Sequence, residues 1–424
     1  MSALEQAIPE GYKQTDIGIF PDDWSTKYLG DICNLINGRG FKPFEWNREG
    51  LPIIRIQNLN GSDEYNYYDG HYNPKILIKN GQLLFAWSGS RGTSFGPHIW
   101  YGENALLNYH TWKMEITDEI EPNYFFHALK VLTKTIEDSA HGASALVHTQ
   151  MGEMKKFIVP IPVSINEQTA IANALSDVDA LLTELEKLIA KKQAIKTATM
   201  QQLLTGKTRL PQFATYTEGE IQSHPKCTKP SELGEIPEDW DVYAIGALFS
   251  ITAGGDLRKN QFSPIKTDKH PYPIYSNAIT NKGLYGYCST FDYDGECLTI
   301  TARGGIGHAV ERDGSFCAIG RLLVLSPKQN TNCKYVAEFA NQYIEFANES
   351  TGVPQLTAPQ VAKYSIAMPV FEEQTAIATI LSDMDNEIQT LEQRLAKTRQ
   401  IKQGMMQELL TGRTRLPFDK NKEA

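Results

Sequence analysis

Apolar residues recur at alternating four- and three-residue intervals in two separate stretches of the chain. The later stretch places Ile377, Leu381, Met384, Ile388, Leu391, Leu395 and Thr398 in one seam, which continues through Ile401, Met405 and Leu409. The earlier stretch gives Ile171, Leu175, Val178, Leu182, Leu185 and Ile189. It then meets Lys192 where an apolar residue is due, and the seam resumes near Ile195. This spacing is the a/d pattern of a coiled coil. Gly206 and Gly412 are placed to cap the two helices, with Pro211 and Pro417 shortly beyond. A helix of about 38 residues is about 57 Å long, too long for an ordinary globular helix. Each seam needs a partner and the other stretch supplies one, so the pattern predicts an antiparallel two-helix coiled coil.

The two stretches are also copies of each other. Glu167-Gln-Thr-Ala-Ile-Ala recurs as Glu373-Gln-Thr-Ala-Ile-Ala, and Leu203-Leu-Thr-Gly-Lys-Thr-Arg-Leu-Pro211 as Leu409-Leu-Thr-Gly-Arg-Thr-Arg-Leu-Pro417. Roughly 26 of 45 positions match without a gap, the mark of an internal repeat. Upstream of each copy, Ile17-Gly-Ile-Phe-Pro-Asp-Asp-Trp24 matches Leu233-Gly-Glu-Ile-Pro-Glu-Asp-Trp240. A fainter match aligns Gly142, Leu146, Gln150 and Pro162 with Gly352, Leu356, Gln360 and Pro369. The organisation is therefore a globular domain (1–165), a long helix (166–211), a linker (212–229), a second globular domain (230–370), and a second long helix with a tail (371–424). Shared frames around divergent interiors suggest one task performed on two targets; the plainer alternative is a duplication in which one half has drifted.

Both globular parts read as α/β or α+β with short strands. Candidate strands are Pro52–Gln57, Gln82–Trp87 and Thr111–Ile116, then Tyr272–Ser276, Glu296–Thr301 and Arg321–Ser326. All are rich in β-branched and aromatic residues and bounded by Gly, Asn and Asp. Helices are expected near Pro122–Asp138 and Cys333–Asn348. Glycine-rich basic loops follow: Asn37-Gly-Arg-Gly-Phe, Ser88–Gly96 and Thr301–His308. Ser90–Gly96 and Ala302–Gly307 fall at equivalent places in the two copies. Glycine lets a backbone approach a phosphate, and arginine can clamp a phosphate or read guanine. Arg39, Arg91, Thr93 and Arg303 are candidate DNA contacts on this ground. Asn58, His98, Asn277, His308 and Gln355 are polar, loop-placed and able to bond a base edge. For each, an ordinary turn or surface role is the competing reading.

Composition narrows the class. The 424 residues are 41% apolar and 21% charged, as in a soluble globular protein of two to four domains. No run of about 18 apolar residues exists to span a bilayer. Met1-Ser-Ala-Leu-Glu-Gln has neither a basic start nor an apolar core, so no signal peptide is expected and the cytoplasm is the expected compartment. The scattered cysteines form no C-x-x-C pair; reduced, buried thiols are expected and no metal site. The net charge of −9 is unhelpful to phosphate contact. The globular parts contribute roughly −5 and −4 by count, so DNA binding would need a local basic surface or a partner. Catalytic motifs are missing from the pattern. Gly206-Lys-Thr ends a helix rather than opening one, Gly304-Gly-Ile-Gly is not a dinucleotide fingerprint, and Glu153-Met-Lys155 has no Asp partner. No catalytic residue is assigned.

Taken together, the paired Trp motifs, the Gly142–Pro162 and Gly352–Pro369 elements, the twin Glu-Gln-Thr-Ala-Ile-Ala segments and the twin Leu-Leu-Thr-Gly-[Lys/Arg]-Thr-Arg-Leu endings resemble the specificity subunit of a type I restriction–modification system. The resemblance covers nearly the whole chain. It implies two target recognition domains with mixed sheets, arranged as a pseudo-two-fold internal repeat and separated by the helical coiled coil. Each domain would read one half of a split site in double-stranded DNA. The helices, through the seam residues named above, would space the domains and dock two modification subunits that methylate adenine with S-adenosylmethionine. A restriction (motor-nuclease) subunit would add ATP- and magnesium-dependent cleavage. No cofactor is expected in this chain. The family's base-contacting residues lie in variable loops and carry over no motif. As a ruler, the helical rod can hold two readers at least the roughly 34 Å that separates half-sites one DNA turn apart. The rival readings are a stand-alone DNA-binding regulator, a coiled-coil scaffold that touches no DNA, and, more distantly, a cryptic nuclease.

Overall fold

The computed structural model describes residues 8–140, 146–216, 224–225, 227–346 and 355–417. Its contacts divide the chain into two units, Met1–Glu186 with Gln393–Ala424, and Lys187–Glu392. The two long helices, Ile165–Leu203 and Phe371–Leu409, are each 39 residues long. Each unit thus contains one globular domain, the first half of one long helix and the second half of the other.

The globular domains share a sheet plan. In the first unit Gly96–Trp100, Gln82–Ala86, Thr111–Ile116 and Cys33–Asn37 form an antiparallel sheet in that order. In the second unit Ala309–Arg312, Cys297–Ile300, Leu323–Pro327 and Phe249–Ala253 repeat it. Successive side chains of a strand face opposite ways. Leu83 and Phe85 therefore enter the core that holds the helix Pro122–Ser139, while Leu84 enters a separate core beneath the other sheet. Leu298 and Ile300 likewise face the core holding the helix Cys333–Tyr343, and Cys297 faces away. The other sheet is mixed in both units. Leu51–Ile54 runs parallel to Ala105–Leu107, and Tyr272–Tyr275 parallel to Cys317–Ala318.

Several expected boundaries move. The strand expected at Pro52–Gln57 ends at Ile54, and a helical turn, Ile56–Leu59, follows. Ser88–Ser90 is not loop but a short strand against Leu146–His148. The helix expected to Asn348 ends at Tyr343. Gly142 and Gly352 lie outside the described residues. Pro162 and Pro369 occupy equivalent places, each accepting from the buried glutamine of its long helix, but the Leu146/Leu356 and Gln150/Gln360 pairings have a different register from the one read in the sequence. Gln150 caps the helical turn Met151–Met154, with Glu153 accepting from its amide, whereas Gln360 accepts from the amide of Thr357, the cap of Ala358–Val361. Gln360 thus does the work of Glu153, and the counterpart of Gln150 is Thr357. The two glutamines are the same residue type three positions apart in structural register.

The strong repeats converge on one junction in each unit. In the second unit Arg209 donates to Glu373 at 2.7 Å and to Asp239 at 2.8 Å, and Trp240 Nε1 donates to Glu373 at 3.1 Å. In the first unit Arg415 reaches Asp23 at 2.9 Å and Glu167 at 2.7 Å. The glycine caps are part of the same junction. Gly206 and Gly412 have φ of +68° and +70°, and a Cβ on either would lie 2.4 or 2.5 Å from Pro237 or Pro21. The adjacent glutamines are buried and anchor each long helix to its domain. Gln168 donates to the Pro162 and Glu119 carbonyls and accepts from the Glu121 amide; Gln374 donates to the Pro369 carbonyl and accepts from the Asn332 amide. The repeated letters therefore record one docking arrangement built twice.

The seams also divide by environment. Ile171, Leu175, Ile377 and Leu381 are buried in the domain cores, alongside the last turn of the opposite helix. Leu185, Ile189 and Ile388 are buried; Val178, Leu182, Met384, Leu391 and Leu395 are half-buried. Within each unit the helix segments run antiparallel. Asp179 pairs with Lys402 and Glu186 with Arg399 in the first, Lys192 with Glu387 and Lys196 with Asp385 in the second. Ile195 and Ile401 do not continue the seam, being 42% and 49% exposed. Lys196 and Lys402, one residue on, point inward instead to the equivalent Asp385 and Asp179.

Candidate nucleic-acid interface

The junction fixes which residues are structural, and the divergent loops are what remains. In the first unit Gly38 brings the chain so close to Asn108 that a Cβ would lie 2.0 Å from its carbonyl oxygen. The next residue, Arg39, pairs with Glu45 and lies 4.8 Å from the Phe41 ring and 5.0 Å from the Tyr68 ring. The Tyr68 hydroxyl, the Glu45 carboxylate and their charge hold the Arg39 guanidinium protonated against burial. The turn Pro43–Glu45 is thereby fixed, and it carries Phe44, 87% exposed, between Lys42 and Trp46. This aromatic and basic platform was legible only as a glycine–arginine motif.

Asn58 is a correction. It is buried, accepts from the Arg55 amide at 3.1 Å and donates to the Ser62 and Glu64 carbonyls. Its amide closes a turn and has no group left for a base. Arg91 and Thr93 lie on the loop between Ser88–Ser90 and Gly96–Trp100. Arg91 donates to the Glu137 carbonyl at 2.8 Å, and the Gly92 amide to the Glu137 carboxylate at 2.8 Å, so the loop is stapled to the end of Pro122–Ser139. Thr93 and His98 meet Lys130 and Lys134 in a surface cleft of about 500 Å³. The two lysines were missed because they sit in an ordinary amphipathic helix pattern. Burial lowers the pKa of His98, a bond to the Ser94 carbonyl opposes this, and Lys130 lowers it further. The ring is therefore neutral at neutral pH.

In the second unit Arg303 is exposed and donates to Gln355 Oε1 at 2.9 Å, with the two residues also bridged through their backbones. Strand pairing matches Phe85 to Pro97 and Ile300 to Ala309, and the Thr149 amide bonds Trp87 where the Leu356 amide bonds Ala302. Arg91 and Arg303 thus lie on corresponding loops, but the position equivalent to Arg303 is Ser88. His308 lies opposite Thr301 and lines a cleft with Ile279 and Asn341; burial, then Arg312, lowers its pKa. Asn277 donates to the Gly320 carbonyl and accepts from the Ala302 amide, both at 2.7 Å. Its side chain holds loops rather than facing outward. Five of the six cysteines are buried, and burial pushes the Cys33 and Cys317 thiols up to about 12. No helix among the described residues is long and apolar enough to cross a membrane.

Comparison with known proteins places this architecture. The family model described as a type I restriction modification DNA specificity domain matches twice, over residues 21–197 and 237–400. The chain is 23% identical over 445 residues to the type I restriction enzyme MjaVIII specificity subunit of Methanocaldococcus jannaschii, covering 96% of each chain. It is 29% identical over 229 residues to the EcoBI specificity subunit of Escherichia coli, covering 52% of this chain and 45% of that one. The crystal structure of the type I restriction–modification system S subunit from M. genitalium has the same fold, with a TM-score of 0.63 at 16% identity over 91% of this chain and 96% of the other. Two family domains in one chain, each built on the same junction, lead to one conclusion: this chain belongs to the type I restriction–modification DNA specificity family.

Proposed function

We propose that this chain is the DNA-recognition subunit of a type I restriction–modification complex and that each globular domain reads one half of a bipartite site. The long helices set the spacing and dock two adenine-methylating modification subunits; a restriction subunit completes the complex. The chain supplies recognition, not catalysis. S-adenosylmethionine belongs on the modification subunits, and ATP and magnesium on the restriction subunit. It acts in the cytoplasm, where its DNA lies. The division between repeated and divergent residues carries this reading. The repeated Arg209/Arg415, Glu167/Glu373 and Gly206/Gly412 build the frame, while the loops that differ between the units hold the exposed polar and cationic groups. Candidate contacts on those loops are Arg39, Thr93, His98, Arg303, His308 and Gln355, with Arg91 positioning its loop.

The net charge of −9 makes tight solitary DNA binding unfavourable and fits a subunit whose partners supply phosphate contacts. Affinity purification of the tagged chain from its host tests the assembly. Recovery of an adenine methyltransferase at about two copies per chain, one per repeat, is expected. Recovery of the chain alone, or only with proteins unrelated to DNA modification, overturns the proposal in favour of a regulator or scaffold.

A further inference from the structure

Among the described residues, three non-glycine residues have positive φ: Asn281 (49°), Lys282 (49°) and Arg321 (69°). All three belong to the second unit, and hydrogen bonds join their loops. Asn277 is the link. Its Nδ2 donates to Gly320, the residue before Arg321, and its Oδ1 accepts from Ala302, the residue before Arg303. The turn Thr280–Gly283 begins three residues after it. One amide therefore ties together three loops, each with an exposed cation: Lys282, Arg303 and Arg321.

The turn is held from below. Arg312 is only 6% exposed; its Nη2 donates to the Lys282 carbonyl at 2.6 Å, its Nε to Thr299 Oγ1 at 3.0 Å, and its guanidinium lies 3.7 Å from the Tyr275 ring. These partners are neutral, so a buried positive charge backs Lys282. A side chain at Gly283 would lie 2.7 Å from the Ser276 carbonyl oxygen, which fixes the turn further. Asparagine tolerates the left-handed region; lysine and arginine visit it rarely. Such conformations persist only where the surroundings impose them, and they gather at functional sites. Among the described residues neither Lys282 nor Arg321 forms an ion pair. In the first unit the same sheet position, after Leu51–Ile54, carries the helical turn closed by Asn58. The cationic cluster is thus particular to the second unit, as a half-site reader requires.

We propose that Lys282 and Arg321, beside Arg303, form the surface through which the second unit contacts double-stranded DNA, with Asn277 and Arg312 as positioning residues. This rests on the DNA-recognition reading above. The test uses the full chain assembled with its methyltransferase partner and duplex carrying its modification site, with affinity measured across salt concentrations. Lys282→Ala and Arg321→Ala are each expected to weaken binding about tenfold and to lower the slope of log affinity against log salt by about 1. Asn277→Ala is expected to relax recognition of one half-site while the other half is still read. Unchanged affinity and salt slope in the Lys282→Ala, Arg321→Ala double variant overturns the proposal while leaving the general reading intact. Failure of the wild-type complex to select any DNA sequence overturns both.

Discussion

Gly412 and Gly206 show how much of the frame rests on single atoms. Each ends a long helix in the left-handed region, and each leaves room for a proline of the Trp motif where a methyl group would collide. Ordinary cap glycines meet only the first demand. Gly412→Ala should therefore destabilise the first unit by about 1–3 kcal/mol, through strain and displacement of Pro21 together. Urea unfolding of wild type and variant measures this, and a difference below about 0.5 kcal/mol would show that the junction yields without loss. The same scale separates candidate contacts from supports. Asn58 and Asn277 both read as loop asparagines, yet both side chains bond backbone, and Asn58 closes a helical turn. Sequence reveals a polar loop residue but not where its amide points, because that depends on loops distant along the chain.

At the scale of elements, the long helices carry paired inward lysines in place of apolar seam residues. Lys196–Asp385 and Lys402–Asp179 occupy equivalent positions of the repeat and fix which residues face each other. Burial opposes ionisation of Asp385, but Lys196 and Lys334 hold its carboxyl below the usual carboxylate range. Its contribution is present above the ordinary pKa near 4 and is lost as pH falls through the depressed folded value. Asp385→Ala should cost about 1 kcal/mol at neutral pH, because solvent reaches the 40%-exposed carboxylate and screens the pair. Replacing Lys196 and Asp385 together by Met and Leu should cost less than the sum of the single changes in a double-mutant cycle. Additive effects would mean that the pair does not set the register. The existence of the helices, their caps and their antiparallel sense were legible, because periodicity and glycine punctuation are local signals. Strand positions such as Thr111–Ile116 were legible for the same reason. The inward lysines were not, since a heptad template expects Ile195 and Ile401 there. The Leu–Gln part of the faint repeat was out of register, while Pro162 and Pro369 align, because capping geometry rather than residue identity is what the two copies share there.

For the molecule as a whole, duplication explains the division of labour. One frame repeated along the chain presents two sets of loops, and changes in those loops alter what is read without disturbing the Arg–Glu junctions. An acidic chain with local cations suits recognition inside a larger assembly better than solitary binding. Two sets of loops on one frame imply that each unit reads one half of a split DNA site. The most direct measurement is the adenine methylation pattern in a host free of such methylation, after the chain and its methyltransferase partner are introduced together. The expected pattern is a single split motif, two short specified sequences separated by an unspecified spacer, present only when the chain is present. A continuous motif, or methylation unchanged when the chain is omitted, would contradict it.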